Sequence, residues 1–137
     1  NKTIINPFEL VTDENILMTN WEIQDFAVQV VRNYIKEKLG FKIFSSQGNP
    51  SVHPSLWFKG EEKDECVIVG SARFGENKPE LPDNIDGIIK SVSKVTDKVH
   101  FAAVGFYHPK QRDHEEVLPL YRGHETGIQF KELEKVV

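Results

Sequence analysis

Ile23, Phe26, Ala27, Val30, Val31, Tyr34 and Ile35 recur at three- and four-residue spacing, which lines them along one broad face of a helix. Thr19-Asn20-Trp21-Glu22 has the spacing of a capping box, where the Thr hydroxyl and the Glu carboxylate each take an unpaired N–H of the first turn. Gly40 supplies a left-handed stop, so the pattern predicts a helix over about residues 20–39. After it the period changes. Phe41 to Phe44 is a short strand-like run closed by turn composition at Ser45 to Pro50, and His53 to Arg73 holds two apolar runs joined by a charged turn. Leu56 to Phe58 is the second predicted strand, Lys59 to Asp64 the turn, and Cys66 to Phe74 the third strand. The third run is almost continuously apolar, which predicts a strand covered on both faces.

Further along, Asp83 or Asn84 can cap a helix whose apolar positions are Ile85, Ile88, Ile89, Val92 and Val95. His100 to Phe106 is a second apolar run of strand length, and strand, helix, strand in that order marks a parallel crossover. A polar loop from Tyr107 to Pro119 follows, then an edge strand at Gly127 to Phe130 and a terminal turn at Lys131 to Val137. Residues 1–18 read as an arm draped on the core. The fold expected is α/β (α+β with a mixed sheet), in the order α-β-β-β-α-β with helices packed on a central sheet, in one domain spanning 1–137.

Composition agrees with one globular domain: 137 residues, 39% hydrophobic and 28% charged, can bury a core without staples. The net charge of −4 gives no overall attraction for phosphate backbones, so a nucleic-acid partner would need a local basic patch. The spacing of Lys90, Lys94 and Lys98 offers one along the second helix. Cys66 is the only cysteine, which excludes a disulfide framework, and its apolar neighbours predict a buried thiol. There is no apolar run of about 18 residues and no secretory leader pattern, so the expectation is a cytoplasmic protein with no membrane partner. The chain starts on Asn1 rather than Met, and an upstream piece is a further expectation.

The order of elements, with the hairpin entry Pro54-Ser55-Leu56-Trp57-Phe58, resembles the core of the PD-(D/E)xK, or restriction-endonuclease-like, superfamily over about residues 20–106. Asn20 to Ile23, Phe26 to Val31 and Pro119 to Gly123 also resemble stretches of small bacterial proteins to which no activity is attached. In the superfamily an Asp opening the second strand binds Mg²⁺, and the third strand carries an acid and a Lys two residues apart, hence on one face. The resemblance puts the Asp position on Ser55 or His53. It puts the acid and Lys on Ser71 and Arg73, or on Val69 and Ser71. No register supplies a carboxylate, and Arg73 cannot act as a neutral base. Glu22 matches a helix acid that some members use, while also fitting the capping box.

The expected function is therefore a non-catalytic, nuclease-like binding or interaction module that needs no cofactor. The alternative is a divergent Mg²⁺-dependent nuclease using Glu22, His53 or the loop acids Asp113, Glu115 and Glu116 beside His114. Ser55, Ser71, Arg73, Tyr121 and Arg122 are candidates for an anion or ligand site, since a guanidinium fork holds phosphate or carboxylate through paired hydrogen bonds. Arg73 is expected to pair with Glu22 or Asp25, or to stay open to an anionic ligand. A protein partner and self-association as a homodimer are the other options.

Overall fold

The computed structural model describes residues 16–136. Helix α1 (Asn20–Tyr34) starts on the expected capping box: the Glu22 N–H donates to the Thr19 hydroxyl and the Thr19 N–H to the Glu22 carboxylate. The helix continues as a wider π turn over Ile35–Leu39 and stops at Gly40, whose φ of 75° is the left-handed conformation glycine adopts freely.

Six strands form one sheet: β1 (Lys42–Ser46), β2 (Leu56–Lys59), β3 (Asp64–Arg73), β4 (Val99–Tyr107), β5 (Gly127–Gln129) and β6 (Glu134–Lys135). Their spatial order is β1-β2-β3-β4-β5, with β6 also against β4. β1 with β2, and β2 with β3, are antiparallel; β3 with β4 is parallel, the crossover made by helix α2 (Ile85–Val92). Phe44 is the extra residue of a bulge in β1, between the pairs Ile43↔Phe58 and Ser45↔Trp57.

Two clusters make the core, one on each face of the sheet. Ile23, Ala27, Val28 and Val31 of α1, with Ile35 of the π turn, pack with Leu56, Phe58, Val67, Val69, Val104 and Phe106. Ile88 and Val92 of α2 pack with Cys66, Ile68, Val99 and Phe101. Successive residues of β3 from Cys66 to Val69 thus enter opposite clusters, which is why that run is apolar without a break.

Three expectations differ from the structure. The terminal turn at Lys131 to Val137 holds β6, which pairs with His100 and Phe101 and so prolongs the sheet edge begun by β5. Asn84 occupies the α2 N-cap position but forms no capping bond, because its backbone (φ −92°, ψ 28°) is not the extended geometry that aims a capping side chain at the first turn. α2 ends at Val92, so Lys94 and Lys98 lie beyond it and the basic helical stripe does not form. Most of the proposed 1–18 arm lies outside the described residues. Its end is tied down: Leu17 bridges Tyr121, and the Met18 N–H donates to the Leu120 carbonyl. Among the described residues no helix is long and apolar enough to cross a membrane.

Candidate functional site

β2 is short and β3 long, so their pairing ends at Leu56↔Val67 and β3 runs on toward Arg73 paired with β4 alone. Even-numbered residues of β3 direct their N–H groups at β4, as at Cys66 to Lys98 O and Phe74 to Phe106 O. The odd ones turn toward the side that β2 has left. Exposed strand edges carry unpaired donors and acceptors that have to be satisfied. Side chains do it here. The Val69 N–H donates to the Ser55 hydroxyl at 3.4 Å, and the Val69 carbonyl accepts from Gln24 Nε2 at 2.8 Å. The Arg73 N–H donates to the Glu76 carboxylate at 2.6 Å, and the Arg73 carbonyl accepts from the Glu76 N–H.

The split opens onto a cleft of about 420 Å³ bordered by Gln24, His53, Ser71, Arg73, Glu76 and Glu80. Ser71 donates its hydroxyl to Gln24 Oε1 at 2.8 Å, so Gln24, only 5% exposed, links the hydroxyl to the Val69 carbonyl. Ser55 is buried beneath this network. His53, just before the cis peptide to Pro54, lines the wall; its Nδ1 is buried without a hydrogen-bond partner, and desolvation holds the imidazole pKa below its usual value.

Arg73 does not pair with Glu22 or Asp25. It donates to Asn20 Oδ1 at 2.7 Å and to the Met18 carbonyl at 2.8 Å, with Glu76 3.9 Å away. Those acceptors sit where the strand end meets the start of α1, nearer than either expected acid. Glu22 is taken by Arg122, whose Nε and Nη2 reach its two carboxylate oxygens at 2.6 and 2.9 Å. The Arg122 guanidinium and the Thr19 N–H hold the Glu22 pKa down to about 2, and the same pair raises that of Arg122. Glu22 is thus a helix cap and an anchor for the segment Leu120 to Arg122, outside the cleft lining. Tyr121 lies in that same segment, its ring 5.6 Å from the His124 ring.

The candidates therefore separate into two groups. Ser55, Ser71, Arg73 and His53 gather at the β3 split, whereas Glu22, Tyr121 and Arg122 form a clasp over the start of α1. Both guanidinium groups have internal acceptors, which removes the reason to expect an open anion fork. Asp113, His114, Glu115 and Glu116 are exposed on a loop that Gln111 shapes from within, its amide bonding the Glu116 carbonyl and the Leu118 N–H. Among the described residues no three His, Cys, Asp or Glu side chains gather as a metal site would require. Cys66 is buried and its thiol is pushed up to about 12, mainly by desolvation.

Gln24 is the residue that sequence reasoning missed. Its signal was available: it is the one polar side chain between Ile23 and Ala27 that falls on the inner face of the helix.

The family profile of a domain of unknown function (DUF8840) matches residues 21–136, and the chain belongs to that family. No curated protein and no solved structure matches it.

Proposed function

We propose that this DUF8840 member is a non-catalytic interaction module on a restriction-endonuclease-like scaffold. The observation that carries the reading is the Ser55, Val69, Gln24, Ser71 network at the β3 split. Ser55 faces Val69 across the split, which favours the register placing the superfamily's acid on Val69 and its Lys on Ser71. Each of these positions holds a neutral side chain bonded to its neighbour or packed in the core, with Gln24 on the adjoining helix. Mg²⁺ takes carboxylate oxygens, and a hydroxyl, a valine and an amide already satisfied by one another do not fit it. Around that satisfied network the cleft instead presents the His53 imidazole and the charged Arg73, Glu76 and Glu80, which suit recognition of a partner by hydrogen bonding. A lone, buried thiol is consistent with placing the domain in the cytoplasm.

The test is cleavage of mixed single- and double-stranded DNA and RNA with Mg²⁺ or Mn²⁺. The native protein is expected to show none above background. Metal-dependent cutting that disappears in His53→Ala or Glu22→Gln would replace this reading with that of a divergent nuclease.

A further inference from the structure

At the end of the sheet where β3 and β4 finish, four large apolar side chains remain in water around one groove: Leu17 at 57% exposure, Phe74 at 50%, Tyr107 at 36% and Val117 at 56%. The groove encloses about 500 Å³, and Leu118, Pro119 and Leu120 belong to its lining. It is a built feature. Val117 lies against Gly75, where a Cβ would come within 2.8 Å of a Val117 methyl and where φ is +91°, so the glycine both permits the turn and makes room for the valine. An apolar patch with projecting side chains, rimmed by polar ones, marks a contact surface.

We propose that this groove is the interface through which a second copy of the chain docks. Its only charged lining residues, Arg73 and Glu76, lie 3.9 Å apart, so the groove itself has no net charge to attract a nucleic acid or a strongly charged peptide. The neighbouring hollow, which shares Phe74 and Tyr107 with it, carries Lys78 and Lys131 beside Glu132 and Glu134. A rim of one sign would repel its own image across a two-fold axis, whereas a mixed rim can meet it with lysines opposite glutamates. The patch also contains both projections and a hollow. In an isologous pair, Phe74 and Val117 of each copy can enter the groove of the other. The groove shares Arg73 and Glu76 with the border of the β3 cleft but opens on different apolar side chains, and the proposal goes beyond the reading given for that cleft.

The experiment is sedimentation equilibrium of the full chain across a wide concentration range, on the native protein, Val117→Glu, Leu17→Glu and, as a control outside the patch, Phe44→Glu. The native chain is expected to show twice the monomer mass at high concentration. Val117→Glu and Leu17→Glu should each weaken association by roughly thirtyfold or more, with unchanged circular dichroism. Phe44→Glu should associate as the native chain does. If Val117→Glu is unfolded, Leu17→Glu alone decides. A native chain that is monomeric throughout, a dimer that survives the folded patch variants, or one broken by Phe44→Glu overturns the proposal.

Discussion

Replacing Gln24 by methionine keeps the side chain's length and suits the apolar face of α1, but deletes its amide. Two bonds disappear: Nε2 to the Val69 carbonyl and Oε1 from the Ser71 hydroxyl, both 2.8 Å. The Val69 carbonyl belongs to a residue only 2% exposed, and a buried acceptor left without a donor costs about 1–3 kcal/mol. Ser71 is half-buried and can turn toward the cleft, so its loss is nearer the net value of an ordinary hydrogen bond, about 0.5–1.5 kcal/mol. Together these give about 1.5–4.5 kcal/mol, and for a chain of this size each kcal/mol moves Tm by roughly 3 °C, a fall of about 5–14 °C. Ser71→Ala alone should cost about 0.5–1.5 kcal/mol, and the double variant little more than Gln24→Met, because the two share one bond. Urea and thermal unfolding followed by circular dichroism measure all three. If Gln24→Met lies within about 0.5 kcal/mol of the native protein, the strand edge is not closed by this amide and the account of the split is wrong.

Glu22 titrates in the folded chain at about 2 against its ordinary 4.5, so its pairing contributes stability above about pH 4.5 that is lost as pH falls toward 2. Glu22→Gln should therefore flatten the acid side of the Tm–pH profile in that window; an acid limb identical to the native one would refute the role of the pair. Phe26 is half-buried with its ring stacked 4.9 Å from that of Phe106, so Phe26→Ala should cost about 2–3 kcal/mol, below the cost at a fully buried site; an unchanged Tm would show that this part of α1 does not pack on the sheet. The Cys66 thiol, pushed up to about 12, should resist a thiol-specific disulfide reagent at pH 8 in the folded chain and react at once in denaturant; rapid native labelling would contradict its burial.

Local periodicity carried most of the architecture. The capping box, the apolar stripe of α1, the left-handed Gly40 and the both-faces-buried β3 are encoded within a few residues of where they act, and each appears as expected. What failed depended on distance. Glu22 and Arg122 are 100 residues apart, and nothing local distinguishes a capping Glu from one that also anchors a remote arginine. Arg73 could not be assigned its acceptors because one of them is the Met18 backbone carbonyl, which carries no sequence signal. β6 is too short for an alternating pattern to register, and it exists because β4 presents an edge for it. At the cleft, Ser55, Ser71 and His53 were legible as positions on a hairpin; that Gln24 ties Ser71 to the Val69 carbonyl follows only from the packing of α1 over the split.

The most direct test of the claim that the β3 split is a closed, neutral network is a Mn²⁺ titration of the ¹⁵N-labelled native chain, following paramagnetic broadening of backbone amides. No selective broadening is expected at His53, Val69 or Ser71 at micromolar Mn²⁺, since the oxygens of the Ser55, Val69, Gln24 and Ser71 network are neutral and already bonded. Selective loss of those three signals, reversed by chelator, would show a metal site at the split and contradict it.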